Sequence, residues 1–222
     1  MATMSYSQIP QQGDFLVIFI QVSGNNVNGA NYVSTVVSSG ASWKRALSVF
    51  GGAGDCELWY VPYVGGGIGS PGPGMFVSTT MTGQASGINT VIAEFSGVLA
   101  ASPLDKSTSN TYTNQNQGNT LTAGPTSTTT LADELWLACF TNLVTPTTLG
   151  WTCVNPGQTV NCPQMWFKHA TATGAASMAG INTTFQSAVS ALIATFKAAS
   201  STPLPAPLAH LTLSVDNFII TT

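Results

Sequence analysis

Short runs of Val, Ile, Thr, Phe, Tyr and Trp alternate along this chain with clusters of Gly, Pro, Asn and Ser. Antiparallel sheets give that pattern when many strands are joined by turns. The runs predict strands at residues 14–22, 32–38, 42–50, 56–63, 75–81, 89–96, 119–123, 134–142, 164–169, 185–197 and 208–221. Helical periodicity is nearly absent. The first run, from Phe15 to Val22, is apolar at odd and even positions alike, so it must be covered on both faces, by a second sheet or by a neighbouring subunit. At 185–196 the pattern is ambiguous, because Phe185, Val189, Leu192 and Phe196 stand near helical spacing.

The intervals are equally informative. Residues 65–74, GGGIGSPGPG, hold too many Gly and Pro for regular structure and read as a long flexible loop. No Gly-Lys-Ser/Thr follows, so this is not a phosphate loop. Residues 107–118 are polar, uncharged and read as an exposed excursion. Residues 200–207, SSTPLPAP, form an extended, semi-rigid spacer. Beyond it Leu211, Leu213 and Val215 alternate with His210, Thr212, Ser214 and Asp216, a strand that can close its own sheet or pair with a neighbouring molecule's. The chain therefore divides into a sandwich domain at 1–198, a spacer at 199–207 and a C-terminal strand at 208–222.

Composition narrows the chemistry. Only 5 basic and 8 acidic residues occur in 222, against roughly a quarter charged in an ordinary soluble domain. Nucleic-acid binding needs a basic stripe, and here the only basic cluster is Lys44-Arg45. The first 14 residues lack the basic start of a signal peptide, and the Phe15 run is too short to span a bilayer. With Met1 as the start, the expectation is synthesis in a cytosol and exit by a route such as lysis. Cys56, Cys139, Cys153 and Cys162 show no zinc spacing, and no metal or cofactor is expected. Cys56 and Cys139 sit in apolar runs and read as small buried hydrophobes. Cys153 and Cys162 flank a turn-rich segment, where they can either close a hairpin as a disulfide, if the chain matures in an oxidising compartment, or stay as thiols.

Few residues remain for a site. Asp55 and Glu57 are two apart on a strand, hence on one face and about 6–7 Å from each other, a separation that glycoside hydrolysis uses. No third acid follows in that run, and the plainer reading is that Asp55 closes a turn while Glu57 is solvated. Asp133 and Glu134 are adjacent, face opposite ways and read as the polar start of a strand. His169 and His210 have no evident partner in sequence. Of the aromatics Trp59, Tyr60, Tyr63, Trp136, Trp151 and Trp166, most lie in apolar strands and read as core. Tyr63 and Trp151, beside loops, are the candidates for stacking against a sugar.

The stretches GDFLVIFIQV, ELWYVPYV, VIAEFSGVLAASPLD, TTTLADELWLACF and SALIATFKA resemble, in that order, a widespread β-sandwich domain. It is of jelly-roll or concanavalin-like type and is found in secreted bacterial proteins and phage particle proteins. The resemblance covers roughly residues 13–198 and is most specific around Glu94-Phe95-Ser96-Gly97 and Pro103-Leu104-Asp105. It implies an all-β, antiparallel, two-sheet jelly-roll sandwich, to which the residues after Ala198, outside the match, add a C-terminal strand extension. It also implies that 185–197 is a strand, and it brings no catalytic residues. Together these readings lead to the expectation of a non-enzymatic virion structural protein, a phage capsid decoration, cement or tail-associated protein, located in the virion. Its expected partners are copies of itself and other virion proteins, with no nucleic acid and no membrane. The alternative is an extracellular carbohydrate-binding or adhesive module with glycans as partners. The third reading is a glycoside hydrolase.

Overall fold

Strands form where β-branched and aromatic residues concentrate, and glycines mark the reversals between them. In the computed structural model residues 2–5, 10, 12–24, 27–38, 40–62, 76–157 and 162–199 are described. They contain β-strands and no helix. The first half of the chain supplies β1 (Ala2–Ser5), β2 (Phe15–Ser23), β3 (Val33–Val37), β4 (Lys44–Gly51), β5 (Gly54–Val61), β6 (Phe76–Met81) and β7 (Gly87–Phe95). The second half supplies β8 (Leu104–Gln115), β9 (Thr120–Ala123), β10 (Asp133–Phe140), β11 (Val144–Pro146), β12 (Thr152–Cys153), β13 (Gln164–Thr171), β14 (Met178–Asn182) and β15 (Gln186–Lys197).

These strands build four antiparallel sheets in four layers. Two central sheets, β4-β5-β2-β7 and β12-β13-β10-β15-β8, face each other. Between them lies a core that includes Phe15, Val17, Phe19, Leu58, Tyr60 and Phe95 from one side, with Leu135, Leu137, Met165, Leu192 and Phe196 from the other. The opposite face of β2, with Leu16, Ile18, Ile20 and Val22, packs under a cap sheet of order β1-β6-β3. The outer face of β10, with Trp136, Ala138 and Phe140, packs under a second cap, β11-β14-β9. The two-faced apolar pattern of β2 is thus satisfied by sheets of its own chain.

The two halves repeat one another. Strands β1 to β7 correspond in order to β9 to β15: central sheet β4-β5-β2-β7 matches β12-β13-β10-β15, and cap β1-β6-β3 matches β9-β14-β11. The ladders align the residues. Phe15 pairs with Phe95 as Leu135 pairs with Phe196, and Ile18 pairs with Trp59 as Ala138 pairs with Trp166. Sequence follows geometry: Val91-Ile92-Ala93-Glu94-Phe95 matches Leu192-Ile193-Ala194-Thr195-Phe196, and Glu57-Leu58-Trp59-Tyr60 matches Gln164-Met165-Trp166-Phe167. Even the ring contacts recur. Tyr60 and Phe196 meet edge-on at 5.3 Å and 63°, and their counterparts Phe167 and Phe95 meet at 5.7 Å and 63°. Strand β8 alone has no counterpart among the described residues.

Several expectations change. The all-β antiparallel architecture is that of a sandwich, and each half of the chain makes its own central sheet and cap, with successive strands crossing between the two. The polar excursion at 107–118 is mostly strand β8, paired along β15. It looked like a loop because an edge strand with a hydroxyl-rich face carries no apolar alternation. The ambiguous 185–197 stretch is strand β15, next to the centre of its sheet. The loop at 65–74, the spacer at 200–207 and the strand at 208–221, with Leu211, Leu213 and Val215, lie outside the described residues.

Candidate functional site

The richest polar cluster forms where β5 passes under the first cap. On a strand Asp55, Glu57 and Trp59 fall on one face, and here that face is turned to the cap while Cys56, Leu58 and Tyr60 point into the central core. The Tyr32 amide donates to Asp55 Oδ2 at 2.7 Å, and the Val33 amide donates to Glu57 Oε1 at 2.8 Å. Trp59 Nε1 donates to Glu57 Oε2 at 2.8 Å, and Arg45 Nε lies 2.7 Å from the same oxygen. The guanidinium sits 4.6 Å from the Trp59 ring centroid and donates to Asn31 Oδ1 and to the Val33 carbonyl, both at 2.6 Å. Ser48 Oγ donates to the same Asn31 oxygen at 2.7 Å.

Both carboxylates are 0% exposed. Burial, followed by the hydrogen bond to Asp55, pushes the Glu57 carboxyl from its usual 4.5 up to about 8. Both Glu57 oxygens accept hydrogen bonds, while Asp55 Oδ1 has no hydrogen-bond partner. The expected solvated Glu57 is therefore corrected: both acids are spent on backbone amides that seal the start of β3. A polysaccharide cannot reach carboxylates closed beneath a sheet, and the acid–base geometry expected of Asp55 and Glu57 does not form an open hydrolase site.

A second cluster gathers at the start of β10. Glu134 is 0% exposed, and burial above all pushes its carboxyl up to about 7. Asp105, on β8, accepts from the Thr130 amide at 2.6 Å and the Thr130 hydroxyl at 2.7 Å. Burial alone would raise Asp105, but these bonds outweigh it and hold the carboxyl below its usual value. Asp133, which points away from Glu134, pairs with His169 Nε2 across the β10–β13 ladder. Sequence distance hid that partner. The strand pairing that joins residues 36 positions apart is not written in either residue's surroundings.

The sugar-stacking candidates separate. Trp151 is only 9% exposed and packs in the outer core of the second unit, where Trp43 packs in the first, so it offers no free ring face. Tyr63 lies outside the described residues, as does His210. Cys153 and Cys162 are both thiols, and the Cys153 thiol contacts Asn155 Oδ1 at 3.9 Å. The register sets Cys153 opposite Trp166. Among the described residues no three His, Cys, Asp or Glu side chains converge as metal ligands would. No protein-family model, curated protein or solved structure matches this chain.

Proposed function

We propose that this chain is a non-enzymatic structural protein of a virus particle, one that decorates or cements a phage capsid or joins its tail. It works by contact with copies of itself and with other virion proteins. The observation that carries this reading is where its few charges go. Of the acids among the described residues, Asp14, Asp55, Glu57, Glu94 and Glu134 are buried, while Asp105 and Asp133 are matched by Lys106 and His169. The surface is left largely to hydroxyls, amides and backbone. Such groups can be covered by a neighbour without the several kcal/mol that each desolvated ion costs. Leu149 at 90% exposed and Phe185 at 68% add apolar contact points at loop tips.

Sedimentation and negative-stain microscopy of the full chain test the proposal. The expected result is a defined oligomer or ordered array that persists to about 1 M NaCl, where the screening length is only about 3 Å. A strict monomer at every concentration, or an assembly that salt dissolves, would overturn it. So would turnover of a polysaccharide or specific binding on a glycan array.

A further inference from the structure

Between β2 and β3 the chain makes a short excursion that is pinned at both ends. The Val27 amide donates to the Gly24 carbonyl at 3.1 Å, and the Val27 side chain is buried under the first cap together with Tyr32. At the far end the Tyr32 amide donates to Asp55 Oδ2 at 2.7 Å. Between these anchors Asn28, Ala30 and Asn31 are exposed and Gly29 is half-buried. Asn28-Gly29 is the one Asn-Gly pair in the chain. We propose that Asn28 is a modification site, deamidated in the folded protein by its own neighbour and water, without an enzyme.

The reaction requires a backbone nitrogen to reach the side-chain carbonyl carbon of the residue before it. A Cβ on the second residue hinders that approach, and hydrogen bonds on either group hold them apart. Neither obstacle is present here. Gly29 has no Cβ, and one built there would meet no heavy atom within 4 Å, so the space around it is open. No hydrogen bond joins the Asn28 side chain or the Gly29 amide to any described residue. Glycine also reaches backbone angles closed to other residues, which eases the turn that ring closure needs.

Other asparagines fail one condition or another. Asn31 is tied to Arg45 and Ser48 through its Oδ1, and the amide after it is held by Asp55. Asn110 spends its side-chain amide on the Thr122 and Gly124 carbonyls. Asn142 and Asn182 are 0% exposed and bonded to each other. Asn155 precedes Pro156, whose nitrogen has no proton to lose.

The step balances without an oxidant. The Gly29 nitrogen gives its proton to solvent base as it bonds to Asn28 Cγ. The Cγ–Nδ2 bond then breaks, and the leaving nitrogen takes up a proton and departs as ammonia. The five-membered imide that remains adds one water. Opening at Cγ gives aspartate, and opening at the main-chain carbonyl gives isoaspartate, with the backbone routed through Cβ and Cγ. In sum, a side-chain amide and water become a carboxylate and ammonium.

The new charge falls near the polar cluster described above. Three residues on, Asn31 accepts from the Arg45 guanidinium, whose Nε meets Glu57. One added carboxylate takes the formal charge of the chain from −3 to −4. The inference stands on this loop alone and goes beyond the role in assembly, whose failure would leave it untouched.

Ageing of the purified full chain tests it. Folded protein is held in mildly acidic and mildly alkaline buffer, then followed by ion exchange, intact mass and peptide mapping. A more acidic species about 1 Da heavier should form, faster in alkaline buffer, with the change at residue 28 before any other asparagine. Gly29→Ala should fold like the parent, because its Cβ meets nothing, and should slow the conversion on the order of tenfold. Asn28 left intact while other asparagines convert would overturn the proposal. So would conversion at Asn28 in urea but not in the folded chain, or an unchanged rate in Gly29→Ala.

Discussion

Glu57 and Gln164 do one job in two halves of the molecule. Glu57 Oε1 accepts the Val33 amide at 2.8 Å, and Gln164 Oε1 accepts the Val144 amide at 2.7 Å, each amide opening the first cap strand that follows its central strand. The residues before those amides match as well, Asn31 two before Val33 and Asn142 two before Val144. A neutral amide therefore suffices to hold this joint. In the first half the same place has an ionisable acid, with Asp55 and Arg45 around it.

The asymmetry can be exchanged and weighed. Glu57→Gln keeps the acceptor for Val33 and leaves Arg45, which is partly exposed, to find water. We expect a folded protein that loses about 1–2 kcal/mol. Gln164→Glu puts a carboxylate beside Cys153 and Cys162, where the first half has Arg45 and Asp55, with no cation to meet it. That variant should lose about 3–5 kcal/mol above pH 8. Urea melts rank the two, and a larger loss from Glu57→Gln would contradict the account.

Stability should fall as the solution becomes more alkaline. An unfolded chain ionises Glu57 above its usual 4.5, whereas the folded chain keeps it protonated to about 8. Between those values the native state holds the extra proton, so raising the pH favours unfolding by at most ~1.4 kcal/mol per pH unit for one such group. Glu134 adds in the same direction between its usual 4.5 and about 7. Melts at steps from about pH 5 to pH 9 should show a decline that levels above 8. Glu57→Gln should abolish the slope between about pH 7 and 8 and reduce it below 7, whereas Glu134→Gln should only reduce the slope below about 7.

Trp151→Ala should behave as a core deletion. The indole fills the outer core of the second unit beside Trp136 and Val144, and losing a buried ring of this size typically costs about 3–5 kcal/mol. A variant as stable as the parent, with a changed response to sugars, would return Trp151 to the surface role that its sequence position suggested.

Gly54→Ala should be poorly tolerated. Gly54 opens β5 with φ +96°, and a Cβ there would strike the Val22 carbonyl oxygen on the neighbouring strand. Strain and collision together should cost at least about 2 kcal/mol, read as a lower melting midpoint.

Much of the sheet inventory was legible because strands buried on one or both faces write their burial into residue type. The β2 run, and the Val91–Phe95 run apart from Glu94, are apolar without being long enough for helices that span anything. Short cap strands such as β14, Met178-Ala179-Gly180-Ile181-Asn182, left no such mark, and β8 left a misleading one. The duplication was written in fragments too brief to notice. Glu57-Leu58-Trp59-Tyr60 and Gln164-Met165-Trp166-Phe167 share one identical residue and a run of similar volumes. The steps between matched strands, 107 residues here and 101 at Phe95 and Phe196, vary with loop length. At the polar clusters, residue type announced that Asp55 and Glu57 share a face. It could not announce that the face lies under a cap, because that depends on where β3 and β6 are laid.

The ladders that join β2 to β7 and β10 to β15 also govern the order of assembly at the ribosome. Each unit's central sheet closes only when its last strand has been made, and the inner face of the first waits for the second. A nascent chain that has released residue 95 thus presents an uncovered greasy slab until roughly 100 further residues follow, about 5–20 s at ordinary translation rates. Pairings this distant in sequence also predict slow refolding in the test tube, with half-length fragments the species most in need of a chaperone.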